Sequence, residues 1–225
     1  MKQLLNGTIL DMLVVPKGVI TAVLSEITND GKMLVEYKMI SLDTYEEHKI
    51  SNKIYLLAKF GADHKTIELQ VRNHLTCKAC VLPDSSVLII EDDGGAKLLD
   101  NDLCVKWRGN IKYRDECPSG AAFDGENFWI SFNENNTIVK LDCNSMREEL
   151  RIGSKNGKNG FAGPCGVFCD NGDLFVANSK SNQVWKINTK TYAAEEYMSF
   201  GEPVMAYAKT FNSEIVWLKS GIYEI

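Results

Sequence analysis

Two segments of the chain repeat the same order of apolar and polar positions. Residues 164–178 and 118–131 each read as a strand, a Gly-containing turn and a second strand. An Asn-rich turn then leads into residues 183–188 and 137–142, where every second side chain can face one side of a sheet. This alternation is typical of a strand with one buried face, so each segment predicts three consecutive antiparallel strands.

Weaker copies of this unit flank the two clear ones. The turn residues Asp84, Asp124, Asp170 and Lys209 lie 40, 46 and 39 residues apart. A period near 40 with several short strands per unit is typical of β-propeller blades. Residues 37–47 align with residues 185–196, which predicts one more blade near the N-terminus. The sequence therefore predicts an all-β protein with a single β-propeller domain over residues 1–225.

The number of blades depends on residues 51–73. Strand-like runs occur at 54–60 and 66–71, without a clear copy of the turn motif. The segment is either a shortened blade or an elaborated hairpin, and we expect six blades with one abbreviated, with five as the alternative. Residues 2–5 and 221–225 read as strands that share the last blade, an arrangement that covers strand edges.

The motif at residues 164–178, Pro-x-Gly-Val-x-x-Asp-x-x-Gly-x-Leu-x-Val-Ala-Asn, resembles an NHL repeat. Residues 118–142 resemble the repeats of six-bladed lactonase-like and virginiamycin B lyase-like propellers. The resemblance implies the propeller fold, and it leaves binding, hydrolysis and lyase chemistry open because all three occur on this scaffold.

Composition narrows the choice of partners and location. The formal charge of −5 gives no general attraction to polyanions, so binding of RNA would need a local basic patch. Neither a signal peptide nor a membrane-spanning run is apparent. Seven cysteines without a secretory signal predict reduced thiols and a cytoplasmic protein. Oligomeric state is not predicted.

In a propeller, the first strand of each blade lines a central channel. The repeats place one equivalent residue near the start of each such strand: Met12, Ala79, Ser119, Cys165 and Val204. Three thiols and one hydroxyl are expected at the channel mouth: Cys77, Cys117, Ser119 and Cys165. Cys77 and Cys80 have zinc-ligand spacing, but Cys80 begins a strand, so small buried side chains are favoured over a metal site.

The resemblance also bears on catalysis. Lactonase-like propellers hold a metal with carboxylate and Asn ligands, whereas Ser119 and Cys165 occupy the position where an Asn is expected, which disfavours a lactonase. Lyase-like relatives use a histidine base, and only His74 precedes a first strand. His48 and His64 read as surface residues. We predict no catalytic residue, no metal site and no cofactor.

Polar turns on the predicted loop face are the candidate binding sites. Asp92, Asp93, Asn133 and Asn178 lie in these turns, where Asp and Asn also serve as ordinary turn residues. A binding module for a protein or peptide partner is the leading hypothesis. A hydrolase or lyase acting on a small molecule at the channel mouth is the alternative. A third hypothesis is single-stranded RNA binding through four basic residues: Lys112, Arg114, Lys155 and Lys158.

Overall fold

The structure is a computed structural model. It describes the chain except for residues 16, 17, 28, 30–32, 51, 52, 60–63, 71–77, 85, 92, 101, 103, 154–160 and 211. For residues 13, 15, 33, 35, 50, 53–59, 64–70 and 81, the backbone alone is described.

The described residues form 22 β-strands. In the first third of the chain these are β1 (Lys2–Asn6), β2 (Ile9–Val15), β3 (Gly18–Ile27), β4 (Met33–Ser41), β5 (Glu47–Ile50), β6 (Lys53–Lys59) and β7 (His64–Gln70). The middle of the chain contributes β8 (Lys78–Val81), β9 (Val87–Ile90), β10 (Gly95–Leu99), β11 (Val105–Asn110), β12 (Gly120–Phe123), β13 (Asn127–Phe132), β14 (Thr137–Asp142) and β15 (Glu148–Gly153). The last strands are β16 (Pro164–Asp170), β17 (Asp173–Asn178), β18 (Gln183–Asn188), β19 (Ala194–Ser199), β20 (Val204–Lys209), β21 (Glu214–Leu218) and β22 (Gly221–Glu224).

Five four-stranded sheets account for all strands except β6 and β7. Their orders are β2-β3-β4-β5, β8-β9-β10-β11, β12-β13-β14-β15, β16-β17-β18-β19 and β1-β22-β21-β20. These sheets are the blades of a five-bladed β-propeller, which confirms the all-β fold class and the five-blade alternative. Within the described residues, strands β6 and β7 pair with each other as a two-stranded hairpin, so they do not form the sixth, abbreviated blade that the sequence predicts.

The N-terminal and C-terminal strands share one sheet, as the sequence predicts. Strand β1 pairs antiparallel with β22, with Lys2 opposite Glu224 and Asn6 opposite Gly221. The five predicted equivalent positions also hold. Met12, Ala79, Cys165 and Val204 lie within the first strand of their sheets, and Ser119 directly precedes β12.

Two compact units divide the chain. One unit comprises residues 1–77 and 209–225, and its core contains Leu5, Val19, Val23, Ile40, Ile215 and Ile222. The other unit comprises residues 78–208, with two core clusters on either side of strand β13. Among the described residues there is no helix long and apolar enough to cross a membrane.

Strand β13 is buried along its whole length. Phe128 and Ile130 pack in one core cluster with Leu88, whereas Trp129 packs in the other with Leu174. Successive side chains of a strand point to opposite faces, so β13 is covered on both faces by apolar neighbours. This explains why its sequence, Asn-Phe-Trp-Ile-Ser-Phe, has apolar residues on both faces, whereas the outermost strand β15 carries charged residues.

The turn from the third to the fourth strand has the same backbone in three blades. Its fifth residue has a left-handed φ, and the N–H of that residue donates to the carbonyl of the first residue at 2.8 Å. These pairs are Tyr45 to Ser41, Met146 to Asp142 and Tyr192 to Asn188. The shared turn explains why residues 37–47 align with residues 185–196 in the sequence.

Glycines let neighbouring first strands approach closely. A Cβ built on Gly120 would lie 2.6 Å from the carbonyl oxygen of Cys165. A Cβ on Gly166 would lie 2.7 Å from the Cβ of Ala206 and 2.9 Å from the carbonyl oxygen of Met205. All three distances are too short for a Cβ atom at either glycine. Gly166, the glycine of the Pro-x-Gly motif, therefore has a packing function.

We therefore predict that Gly166→Ala destabilises the protein by about 1–3 kcal/mol, because the new methyl group overlaps Ala206. Gly201→Ala is the matched control, since a Cβ there meets nothing within 4 Å and its backbone lies outside the left-handed region. Urea unfolding of both variants measures the difference. Equal stability of the two variants would contradict the close approach of these strands.

The core thiol of Cys80 generates a second prediction. Burial raises the pKa of Cys80 from 9.0 to about 12. Above pH 9 the unfolded chain loses this proton while the folded protein keeps it, so stability falls as pH rises toward 12. A tenfold difference in proton affinity between the folded and unfolded states corresponds to about 1.4 kcal/mol of stability.

We expect the free energy of unfolding of Cys80→Ala to decline less steeply than that of the wild type between pH 9 and pH 11. Cys104→Ala, at an exposed thiol, should keep the wild-type slope. Urea unfolding at half-unit pH intervals measures all three slopes. The prediction is wrong if the Cys80→Ala and wild-type curves stay parallel.

Candidate functional site

Four polar residues from two adjacent blades meet at the turns between second and third strands. Ser119 directly precedes β12 and Cys165 lies near the start of β16, so both occupy equivalent positions of the repeat. Asn133 and Ser179 are the first residues of the two turns, after β13 and β17. We call these four residues the turn cluster.

Asn133 is the centre of the turn cluster. Its side-chain Nδ2 donates to Cys165 Sγ at 2.9 Å and to Ser179 Oγ at 3.2 Å. Its backbone N–H donates to Ser119 Oγ at 3.3 Å. Ser179 Oγ in turn donates to the carbonyl of Gly163 at 2.9 Å. These bonds connect two blades that are consecutive in the sequence and fix the Asn133 side chain between them.

The backbone of Cys165 is held by a buried hydroxyl. Ser131, which is fully buried in β13, donates through Oγ to the carbonyl oxygen of Cys165 and lies 3.5 Å from that of Gly120. Strand pairing of β16 with β17 is irregular between Pro164 and Val167, which leaves Cys165 in a bulge. Bulges redirect side chains, and this one turns the thiol toward Asn133.

Cys165 has a protonated thiol at neutral pH. Burial raises its pKa, and this effect outweighs the hydrogen bonds from Ser179 and Asn133 and the positive charges of Lys78 and Lys180, all of which lower it. Nucleophilic cysteines need the thiolate. The Cys165 sulfur therefore serves here as a weak hydrogen-bond acceptor.

Charged side chains form the rim of the turn cluster. Lys180 Nζ lies 3.8 Å from Glu134 Oε2, and both side chains are largely exposed. Glu116 lies beside them but is engaged with the turn. Its Oε1 accepts from the N–H of Glu134 at 2.6 Å, and its Oε2 accepts from the N–H and Nδ2 of Asn135 at 2.9 and 2.7 Å.

Asn178 belongs to the interior beneath the second turn. It is fully buried, and its Oδ1 accepts from the N–H of Ala162 at 3.2 Å. Its Nδ2 has no hydrogen-bond partner among the described residues, and the same holds for Ser181 Oγ. Asn178 is thus placed to hold the segment that enters β16, and a partner cannot reach it without movement of the turn.

Of the predicted site residues, Ser119, Asn133 and Cys165 come together in the turn cluster. Asp93 caps its own turn, because its Oδ1 accepts from the N–H of Gly95 at 2.8 Å. Cys117 is half-buried. The predicted residues Cys77, Asp92, Lys155 and Lys158 lie outside the described residues, as does His74.

The basic residues around Tyr113 are partly neutralised. The guanidinium groups of Arg151 and Arg114 lie 4.2 and 5.3 Å from the centre of the Tyr113 ring. Arg151 also binds both carboxylate oxygens of Glu148, at 2.6 and 2.7 Å. Lys112 and Arg114 are exposed. Of the four residues predicted to bind RNA, these two lie within the described part of the chain.

Ser179 and Lys180 lie in the polar turn at residues 178–182, which the sequence predicted as a candidate site without singling out these two residues, whereas Ser131 and Lys78 were missed. Ser179 could have been found, because it occupies the same position of the repeat as Asn133. Ser131 could not, since a serine in an apolar strand gives no indication of its partner. Within the described ranges, no group of three or more His, Cys, Asp or Glu side chains is arranged to hold a metal ion.

No family model matches the chain, and no curated protein matches it. A streptogramin B lyase structure is 11% identical, covers 97% of this chain and 83% of its own, and has a TM-score of 0.63. A Bacteroides thetaiotaomicron protein of unknown function is 9% identical over 96% of this chain and 68% of its own, with a TM-score of 0.67. The glutaminyl cyclase of Myxococcus xanthus is 8% identical over 99% and 91%, with a TM-score of 0.56. At these identities the likeness shows the fold, and the chain is a β-propeller related in fold to the streptogramin B lyase.

Proposed function

We propose that this β-propeller is a binding module that presents the turn cluster and its charged rim to a protein or peptide partner. The observation that carries the proposal is the position of Asn133 Nδ2, 2.9 Å from the Cys165 sulfur. An amide N–H that donates to a thiol has a poor acceptor. A peptide carbonyl is a better one, so a partner that supplies it improves the bond.

Preorganisation supports this function. Internal hydrogen bonds hold both turns. Glu116 Oε2 accepts from the N–H of Asn135 in the first turn, and the carbonyl of Gly163 accepts from Ser179 Oγ in the second. Ordering a loop during binding costs free energy, and a loop that is already ordered avoids that cost. The Asn133 amide therefore stands in a fixed position before a partner arrives.

The rim has the character of a protein-recognition surface. Lys180 and Glu134 place opposite charges side by side at exposed positions next to Asn133. Mixed charges at the edge of a binding surface steer the partner and select its register more than they add affinity. A peptide backbone over Asn133 would bring its side chains to this rim.

The two other hypotheses receive less support from the site. Hydrolase or lyase chemistry at this position would need an activated group, whereas the Cys165 thiol is held neutral by burial. Binding of RNA would use the exposed residues Lys112 and Arg114, which are not part of the turn cluster. A streptogramin B lyase and a glutaminyl cyclase share the fold, so the fold is compatible with both binding and catalysis.

We also propose that the protein is cytoplasmic and related to NHL-repeat proteins. The motif at residues 164–178 supports the relationship. All six cysteines that the structure describes carry free thiols, which suits a reducing compartment.

The test is selection of a random peptide library, displayed on phage, against the immobilised protein. We expect enriched peptides whose affinity falls about three- to tenfold in Asn133→Ala, the loss typical of one hydrogen bond. Asn144→Ala is the matched control, because Asn144 is exposed in the turn at the other end of β14. Affinities are measured by fluorescence anisotropy of the synthetic peptides.

Two results would contradict the proposal. One is a selection in which no peptide is enriched over the blank surface. The other is a set of peptides that binds the wild type and Asn133→Ala equally well, which would place the binding surface elsewhere. Thermal unfolding of both variants verifies that each is folded.

A further inference from the structure

Positive charge converges on the turn cluster from two directions. Lys78 is the first residue of β8 and Lys180 lies in the turn between β17 and β18. Both ammonium groups act on the Cys165 thiol, where they lower its pKa against the larger effect of burial. Lys180 directly follows Ser179, which accepts a hydrogen bond from the Asn133 amide, so a cation and a hydrogen-bond donor belong to the same pair of turns.

We propose that the turn cluster recognises a carboxylate of an acidic peptide, with Lys180 as the charge partner and Asn133 as the hydrogen-bond donor. This inference rests on the proposed function and specifies its ligand. A carboxylate accepts several charge-assisted hydrogen bonds, which are about twice as strong as bonds between neutral groups. The sulfur now present accepts only a weak one.

Glu134 shows that a carboxylate is accommodated at this rim. Its Oε2 lies 3.8 Å from Lys180 Nζ, with 76% of the Glu134 side chain and 51% of the Lys180 side chain exposed. An exposed pair at this distance is weak, so an incoming carboxylate can replace Glu134 as the partner of Lys180. Glu134 is therefore an internal competitor of the ligand.

Other acidic groups nearby do not compete in this way. Both oxygens of Glu116 accept hydrogen bonds from the turn that contains Glu134 and Asn135. Removal of Glu116 would therefore disturb that turn. Glu134 contributes to the turn only through its backbone N–H, which donates to Glu116 Oε1, and its side chain is largely exposed. Glu134→Gln thus tests competition without loss of the turn.

The experiment is a titration of the ¹⁵N-labelled full chain followed by NMR. The probes are acetyl-Gly-Glu-Gly-amide, its Gln twin, acetyl-Gly-Gly-Gly with a free carboxyl group, and inorganic phosphate. We expect the Glu peptide to shift the Asn133 side-chain amide and to bind about tenfold more tightly than the Gln twin. The peptide with the free carboxyl group distinguishes a terminal carboxylate from a side-chain carboxylate.

Three variants test the charges. Lys180→Glu should weaken binding of the Glu peptide at least as much as replacing the Glu of the peptide by Gln does. Lys190→Glu makes the same change of charge at an exposed position in the turn between β18 and β19, and it should leave binding within about twofold because surface charges at a distance are screened. Glu134→Gln should tighten binding by about two- to fivefold, the equivalent of one exposed ion pair.

The outcomes separate this inference from the proposed function. If the Glu and Gln peptides bind equally at Asn133, or if Lys180→Glu and Lys190→Glu weaken binding equally, carboxylate recognition is overturned and the peptide-binding module stands. If phosphate binds as tightly as the Glu peptide, the site binds anions in general and the inference is likewise overturned. If neither these probes nor the selected peptides shift the Asn133 amide, both proposals fail.

Discussion

The close approach of neighbouring first strands is the constraint on which the site depends. Gly120 lies against the carbonyl of Cys165 and Gly166 lies against Ala206, at separations that leave no room for a Cβ. Ser131 then joins the carbonyls of Gly120 and Cys165 through one buried hydroxyl. A buried hydroxyl without hydrogen-bond partners would lower the free energy of unfolding, so Ser131 favours the arrangement in which both carbonyls lie beside it. The thiol of Cys165 is consequently fixed in space before any ligand binds.

The buried middle strands are rich in apolar side chains, and the turns carry the polar groups at the surface of the site. Strand β13 has apolar side chains on both faces, and a core cluster covers each face. Charged groups are therefore found on outer strands such as β15 and in the loops. The turn cluster is the point where two such turns and two first strands meet, so each repeat contributes one residue at the start of a first strand and one from a turn.

The turn cluster combines a rigid donor with a weak acceptor. The Asn133 amide is held by Cys165 and Ser179, and positive charge from Lys78 and Lys180 reaches the same sulfur. The hydrogen bond from the Asn133 amide to the Cys165 sulfur is weak compared with the bond that a charged oxygen acceptor would make. This difference between the free and the occupied site is the physical source of binding free energy in our proposal.

The sequence by itself determined the strand order, the blade-like repeat and the pairing of the terminal strands. Alternation and turn residues are local, so residues 118–142 and 164–188 predicted their own strands. Tertiary structure alone decided the blade number, because residues 53–70 contain strands in either arrangement and only their pairing distinguishes a hairpin from a blade. It also decided the site, since the contact of Asn133 with Cys165 joins residues 32 positions apart. Asp93 and Asn133 both lie in polar turns and only Asn133 has an amide donor, but packing between blades placed that donor beside Cys165.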